Sequence, residues 1–350
     1  MKSLLDKIII EVKSEELILK DIKRFKAQFK GKNKLIYASI YRLSKINSYF
    51  KRYFLNSNIE IGLITTIPER SGLGGSAAII IAILYGLSQY FDLYNNYSKL
   101  EENEFPLNKD IIAEIATKVE DEDLKVTAGY SDRYVISRGG LGFCSYYGKL
   151  HHKDISKEPL AIYDKIDDVY DLENIPIIVC YTGVYHNSGD IHRKLRNIYL
   201  QKNPIFLNSY EKLAEIAWKS RFAIMRRDWS ELGKYLKENT KIMNLIMKEA
   251  GFKHGIGLAN NILIELVEEH PEVYAAKLTG AGGGGSVFAL VNPNEIKTVL
   301  NYWQDRLNEI ITNEETFNSK FKQYSIEIAN KLKNAQFFIV KVDKTGVKKL

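Results

Sequence analysis

The glycine-rich stretch GLGGS, residues 72–76, is the first feature whose residue types could do chemistry. It directly precedes the apolar run 77–87, which predicts a buried helix. A helix N-terminus presents free N–H groups and a partial positive charge, and glycines let an anion approach the backbone closely. Taken alone, the stretch fits two structures equally well, and one of them is a phosphate site in which Ser76 caps the helix, binds phosphate or ligates Mg2+. An ordinary strand-to-helix turn is the alternative, and the missing Lys after the last glycine excludes a Walker-type P-loop.

A carboxylate-rich segment, KVEDEDLKVTAGYSDRY at 118–134, is the second candidate. Asp132 follows the turn TAGYSD, where a carboxylate near a phosphate could deprotonate a substrate hydroxyl. Capping of the next helix is the other fate of such an Asp. The acidic run 120–123 is either a source of metal ligands or the solvated end of a helix. Arg133 would lower the pKa of the adjacent Asp132 carboxyl or hold an anionic group of the substrate.

A second glycine-rich stretch, KLTGAGGGGSVFALV, occupies residues 277–291. Its glycines permit positive φ and a tight connection between two strands. Five of the six residues 280–285 are glycines: Gly280, Gly282, Gly283, Gly284 and Gly285. This is more glycine than a hairpin turn requires, so a functional loop is favoured over a plain hairpin. Thr279 could provide a polar contact in this loop.

A third candidate is the segment 181–197, YTGVYHNSGDIHRKLRN. Ser188 and Gly189 could present N–H groups to an anion, with His192 and Arg193 one turn later. A capped amphipathic helix is the equally weighted alternative.

The elements that must position these residues alternate irregularly, which predicts an α+β fold. Helices are predicted over 15–55, 76–91 and 108–119, the last capped by Asn108, then three over 208–269 and one from about 294. Strands are predicted over 58–68, 141–148, 176–183, 275–280, 286–292 and 335–343. The polar segment 150–175 suggests a boundary between a first lobe, 1–165, and a second lobe, 166–350.

Composition limits the class of protein. The 350 residues carry a net charge of +7, but the basic residues are spread along the chain without a basic and aromatic platform. An anionic small molecule is therefore a better expected partner than nucleic acid. The longest apolar run is too short to span a bilayer, so no membrane association is expected. The two cysteines, Cys144 and Cys180, are far apart, which argues against a disulfide scaffold or a zinc site and fits a reducing cytoplasm.

Two motifs together resemble a known family. The pattern PxxxGLGxSxA resembles the second motif of the GHMP small-molecule kinases, and KLTGAGGGGSVFAL resembles their third; the first pattern comprises Pro68, Gly72, Leu73, Gly74, Gly75, Ser76 and Ala77. The resemblance covers roughly residues 58–343. It implies an N-terminal lobe like domain two of ribosomal protein S5, a ferredoxin-like C-terminal lobe, and ATP and Mg2+ as cofactors.

The same resemblance implies roles for individual residues. The residues of the PxxxGLGxSxA pattern would hold the phosphates of ATP, helped by Gly280, Gly282, Gly283 and Gly284. Asp132 would be the catalytic base, and Glu120 would ligate Mg2+ together with Ser76. Substrate contacts would come from Arg133, Ser188, Gly189 and Arg193.

Further segments indicate which branch of the GHMP kinases the chain resembles. VTAGYSDRYVISRGGLGFCSY and RRDWSELGKYLKENTKIM resemble glucuronokinases, whereas AGGGG at 281–285 favours heptose 7-phosphate kinases. The expected reaction is ATP-dependent phosphorylation of a hydroxyl on a sugar or sugar acid, with a glucuronokinase-like sugar 1-kinase favoured and a heptose-phosphate or other GHMP kinase as the alternative.

The family's first motif has no counterpart in residues 1–54, which keeps a non-catalytic sugar or nucleotide sensor open. An RNA-binding protein is a weaker rival, based on net charge and the S5-like lobe. No oligomeric state is predicted.

Overall fold

The computed structural model describes residues 29–31, 33–102, 104–146, 160–170, 172, 174–184 and 188–349. The part of the predicted N-terminal helix that falls on 15–28 lies outside these residues. None of the described helices has the length and apolar character needed to cross a bilayer.

The first lobe is a group of helices packed around fully buried side chains such as Leu43, Ile81 and Ile112. Its helices are α1 (Lys34–Ile46), α2 (Ser48–Leu55), α3 (Gly75–Tyr90), α4 (Lys109–Lys118) and α5 (Ser131–Arg138), and strands β1 (Gly142–Ser145) and β2 (Ile162–Lys165) form a two-stranded antiparallel sheet. A short helix, α6 (Ile166–Tyr170), follows β2.

The second lobe is a four-stranded antiparallel sheet with helices packed on it. Its strands lie in the order β4-β5-β3-β6. They are β3 (Ile177–Tyr181), β4 (Val273–Leu278), β5 (Ser286–Val291) and β6 (Gln336–Ile339). The helices are α7 (Ser188–Leu200), α8 (Pro204–Met225), α9 (Trp229–Glu249), α10 (Leu258–Glu268), α11 (Ile296–Thr312), α12 (Glu314–Lys320) and α13 (Glu327–Leu332).

Local signals placed some helix boundaries correctly and missed others. Asn108 caps α4 as predicted, since its side chain accepts hydrogen bonds from the N–H groups of Asp110 and Ile111. The helix predicted across 15–55 is interrupted at Asn47, whose extended backbone ends α1 and whose side chain caps α2. Asn47 therefore divides what the apolar periodicity predicted as one helix into two helices.

The predicted strand over 58–68 is wrong. Within the described part of the chain no strand pairs with this segment, and Ile61 and Ile64 are 36% and 55% exposed. An alternating sequence becomes a strand only when a neighbouring strand accepts its hydrogen bonds.

The C-terminal tail returns from β6 to the first lobe. The N–H of Gly140 donates to the carbonyl of Asp343 at 2.6 Å, and the N–H of Val347 donates to that of Ile136 at 2.9 Å. The tail therefore packs against the C-terminal end of α5, the helix that carries Asp132.

Candidate active site

The loop before α3 has the backbone of an anion-binding turn. Gly72 and Gly74 both have φ of 72°, in the left-handed region that favours glycine. Gly74 is the N-cap residue, and no side chain caps the helix. Ser76 is therefore not the cap, and the N-terminal N–H groups of α3 have no side-chain partner within the described residues. Free N–H groups at the N-terminus of a helix are suited to binding an anion such as phosphate.

Ser76 instead contacts the acidic segment. Its hydroxyl donates a 2.6 Å hydrogen bond to Oε1 of Glu120. Glu120 is 4% exposed and lies on a π-helical turn, Val119–Asp123, that extends α4 and is called the acidic turn below. The segment was expected to be either a source of metal ligands or a solvated helix end, and burial of Glu120 is inconsistent with a solvated end.

Arg133 faces the same carboxylate from the other side. Its Nη2 forms an ion pair with Oε2 of Glu120, and its Nη1 donates to the carbonyl of Gly129 at 3.0 Å. Burial lowers the pKa of the Arg133 guanidinium to about 10, so it stays charged at neutral pH. Nη1 also lies 3.6 Å from Oδ2 of Asp132. Arg133 thus contacts both acidic candidates.

Asp132 lies in the first turn of α5 beside the loop 71–76, which is called the phosphate loop below for the role expected of it. A Cβ built on Gly74 would lie 3.8 Å from the Asp132 Cβ and 3.9 Å from its Oδ2. The side chain is 55% exposed, so a substrate can reach it. Partial desolvation by the surrounding protein raises the pKa of the carboxyl above its ordinary value. The structure therefore brings Asp132, Glu120 and Ser76 together around one loop.

The second glycine loop joins this site from the other lobe. The Thr279 hydroxyl donates to the carbonyl of Gly72 at 3.1 Å, and the Ser286 hydroxyl donates to that of Ser71 at 2.7 Å. A Cβ on Gly280 would lie 3.4 Å from the Gly72 oxygen. The loop between β4 and β5 therefore supports the phosphate loop directly.

The remaining glycines of this loop are packed against backbone. Cβ atoms on Gly282 and Gly284 would lie 2.9 and 2.6 Å from the carbonyl oxygens of Ile256 and Val184. The N–H of Gly283 donates to the Ile256 carbonyl at 2.6 Å. Side chains at these positions would displace the loop.

Helix α7 approaches the acidic turn from the second lobe. Gly189 is buried at its start, whereas Arg193 pairs with Asp190 and its side chain is 59% exposed. Arg196, one turn further, donates from Nη1 to Oδ1 of Asp121 at 3.1 Å. Sequence reasoning missed Arg196, although its place three residues after Arg193 on one helix face is a usable signal.

The site can be compared with the needs of Mg2+, which prefers hard oxygen ligands and keeps several waters. Ser76 and Glu120 supply two such oxygens within hydrogen-bond distance of each other. No cluster of three or more His, Cys, Asp or Glu side chains suited to a metal occurs in the described residues. Two protein ligands, completed by phosphate oxygens and water, fit a metal bound with a nucleotide.

Comparisons with known proteins agree with this arrangement. Residues 35–140 match the family model of the GHMP kinases N terminal domain, and residues 222–309 match that of the GHMP kinases C terminal. A probable glucuronokinase 2 from Arabidopsis thaliana is 27% identical over 75% of this chain and 67% of its own length. A D-glycero-alpha-D-manno-heptose 7-phosphate kinase from Campylobacter jejuni is 23% identical over 65% of this chain and 60% of its own.

The structure of Lactococcus lactis galactokinase complexed with galactose has the same fold. It matches with a TM-score of 0.60 and 15% identity, covering 94% of this chain and 80% of the galactokinase chain. The predicted two-lobed α+β fold is therefore confirmed. The lobe boundary at 165/166 stays a prediction.

Proposed function

Because this chain belongs to the GHMP kinases, we propose that it transfers the γ-phosphoryl group of ATP to a hydroxyl group of a sugar or sugar acid. The observation that carries the proposal is the position of Asp132 beside the phosphate loop, with the Ser76–Glu120 pair at the start of the same helix. A base, two metal ligands and an anion-binding turn then surround one reaction centre.

In this proposal the loop from Gly72 to Ser76 binds the triphosphate through backbone N–H groups and the N-terminus of α3. Thr279 and Ser286 hold that loop through its carbonyl oxygens, so its N–H groups stay directed at the nucleotide. Most of the catalysis is positioning, because phosphoryl transfer needs little covalent chemistry from the protein.

Ser76 and Glu120 would hold Mg2+. When bound, the ion neutralises charge on the phosphate oxygens. Arg133 orients Glu120 by pairing with Oε2, which leaves Oε1 turned towards Ser76. One oxygen of the Glu120 carboxylate, Oε2, would therefore stay paired with Arg133, and the other, Oε1, would be the metal ligand.

Asp132 accepts the proton of the substrate hydroxyl as its oxygen attacks the γ-phosphorus. The bond from that phosphorus to the bridging oxygen of ADP breaks, and ADP leaves with the electron pair. The raised pKa of Asp132 makes the carboxylate a stronger base than an ordinary Asp.

The named activities of the relatives support a sugar or sugar-acid acceptor, and a glucuronokinase-like sugar 1-kinase is favoured. A heptose-phosphate acceptor is the alternative. Both acceptors carry an anion, which suits a substrate site at the start of α7 with the Gly189 N–H and the exposed Arg193.

The test is ADP release with Mg-ATP across glucuronate, galacturonate, galactose, a heptose 7-phosphate and mevalonate, with Asp132→Asn in parallel. Turnover on one acceptor that is lost in the variant supports the proposal and identifies the acceptor. Full activity in Asp132→Asn would show that Asp132 is not the catalytic base.

A sugar or nucleotide sensor is the second candidate, favoured by the Arg133–Glu120 ion pair, which neutralises the carboxylate without a metal. It predicts thermal stabilisation by ATP or a sugar without ADP release, and measurable turnover on any member of the panel excludes it.

A further inference from the structure

The acidic turn is held by three arginines from different parts of the chain. Arg133 pairs with Glu120, and Arg42 on α1 pairs with Glu122 and Asp123 at 2.7 Å each. Both of these arginines belong to the first lobe. The remaining carboxylate, Asp121, is bound by an arginine of the second lobe, Arg196.

Arg196 forms a small network rather than a single ion pair. Its Nη1 donates to both oxygens of Asp121, at 3.1 and 3.2 Å, and its Nη2 donates to the carbonyl of Ala128 at 3.2 Å. The N–H of Ala128 donates in turn to Oδ1 of Asp121 at 3.2 Å. One guanidinium therefore contacts both the acidic turn and the loop that connects this turn to α5.

The pair is more protected than a surface ion pair. The Asp121 side chain is 11% exposed and that of Arg196 is 34% exposed. Charge-assisted hydrogen bonds in such partly desolvated settings are stronger than those between exposed side chains, which contribute little. Helix α7, which carries Arg196, is anchored in the hydrophobic core of the second lobe by Ile191 and Leu195, whose exposed fractions are 6% and 4%.

The position of this network relates it to the proposed chemistry. Asp121 directly follows Glu120 in the chain, and Ala128 lies four residues before Asp132. A movement of the loop between them would displace the proposed metal ligand and the proposed base together. Misplacement of reacting groups by about 1 Å can cost about 100-fold in rate.

We propose that Arg196 is a positioning residue that clamps the segment from Glu120 to Asp132 against the second lobe, so that α7 and the proposed catalytic carboxylates move as one unit. The inference rests on the proposed function for its kinetic part. Because α7 also begins at the proposed substrate site, acceptor binding there would stabilise the clamp and hence the geometry of the base.

The chain offers a matched control. Arg221 on α8 also makes an ion pair between the lobes, with Asp164 on β2, and it packs over the rings of Phe143 and Trp218. These contacts involve neither the acidic turn nor the phosphate loop. Arg221→Gln therefore breaks an inter-lobe ion pair without touching the proposed clamp.

The kinetic test compares Arg196→Gln, Arg196→Lys and Arg221→Gln in the full chain. We expect Arg196→Gln to lower kcat by about 10- to 100-fold, because a loosened loop would misplace the proposed metal ligand and the proposed base. Arg196→Lys should recover only part of this rate, because an ammonium cannot bind Asp121 and Ala128 in the same geometry. The KM for ATP should change little, and Arg221→Gln should keep near-normal kcat.

A double-mutant cycle tests whether Arg196 acts through Asp121. Asp121→Asn removes the charge but keeps the shape, and the double variant should be little slower than either single variant. Independent, multiplicative losses would overturn the clamp, and so would an equal loss of kcat in Arg221→Gln.

Hydrogen–deuterium exchange provides a readout that needs no activity. Arg196→Gln should speed exchange in peptides covering 124–132, since the Asp121 carboxylate that accepts from the Ala128 N–H is no longer held by Arg196, whereas Arg221→Gln should not. Unchanged exchange in that segment would overturn the inference even if the chain proves to be a kinase. Faster exchange with no turnover on any acceptor would instead retain the clamp and reject the proposed reaction.

Discussion

The Ser76 hydroxyl donates a 2.6 Å hydrogen bond to the Glu120 carboxylate, although the two residues are 44 positions apart. This contact links the start of α3 to the acidic turn after α4, and it brings together the two side chains proposed to hold Mg2+. The same carboxylate pairs with Arg133 through its other oxygen. Replacing the two proposed ligands should therefore have different consequences for stability.

We expect Ser76→Ala and Glu120→Gln both to raise the Mg2+ concentration needed for half-maximal turnover, Glu120→Gln by about 10-fold or more. Only Glu120→Gln should unfold at clearly lower temperature, because it removes the nearer and more buried of the two carboxylates that pair with Arg133, and breaking a buried pair costs up to about 3–5 kcal/mol. Ser76→Ala loses one hydrogen bond, about 0.5–1.5 kcal/mol. Mg2+ titrations and thermal melts check this, and equal melting temperatures would contradict the ion pair.

Asp132→Asn should separate stability from activity. The pKa of Asp132 is raised in the folded protein, so its ionised form is disfavoured by folding, and removing that charge at pH 7 should not lower the melting temperature. The kcat should fall by about 100- to 10,000-fold, as for loss of a general base. Urea unfolding and steady-state kinetics at pH 7 measure both; a strongly destabilised variant would show that Asp132 is a structural residue.

The pH dependence of kcat/KM should have an acid limb from Asp132. The carboxylate must be deprotonated to accept a proton, so the rate falls as pH falls through its raised pKa, which lies above 3.8. The Asp132→Asn variant should lose this limb in its residual activity. An acid limb that is the same in both proteins would assign it to another group.

Ser286→Ala should weaken the join between the lobes. Ser286 is fully buried, and the variant leaves the Ser71 carbonyl without this donor, at a cost of about 1–3 kcal/mol. The KM for ATP should rise because the phosphate loop loses support. Ser319→Ala is the control, since that hydroxyl also donates to a carbonyl but is exposed, and it should change stability by less than about 0.5 kcal/mol.

Gly346→Ala should disturb the C-terminal tail. Gly346 has φ of 62°, and an added Cβ would lie 2.5 Å from both the Gly139 nitrogen and the Ser137 oxygen. Overpacking of this kind costs about 1–3 kcal/mol. Gly62→Ala is the control, because nothing lies within 4 Å of its Cβ position. Thermal melts of the two variants should differ clearly, and faster hydrogen exchange near α5 should accompany the loss in Gly346→Ala only.

Local properties of the chain were readable from sequence. The glycine turn before α3 and the Asn108 cap follow from interactions within a few residues. The succession of helices over 204–268 and the strands around the second glycine loop followed from periodicity. The strand expected over 58–68 failed because an alternating pattern does not specify a partner.

What the sequence by itself determined is therefore the longer helices and the strands of the second lobe, the Asn108 cap, the two glycine loops and the α+β class. Only the tertiary structure decided that Glu120 is buried between Ser76 and Arg133, that Asp132 faces Gly74, and that Arg196 reaches Asp121 from the second lobe. The physical reason is range. Backbone torsion and capping energies depend on neighbours along the chain, whereas ion pairs and shared carboxylates depend on how distant elements pack.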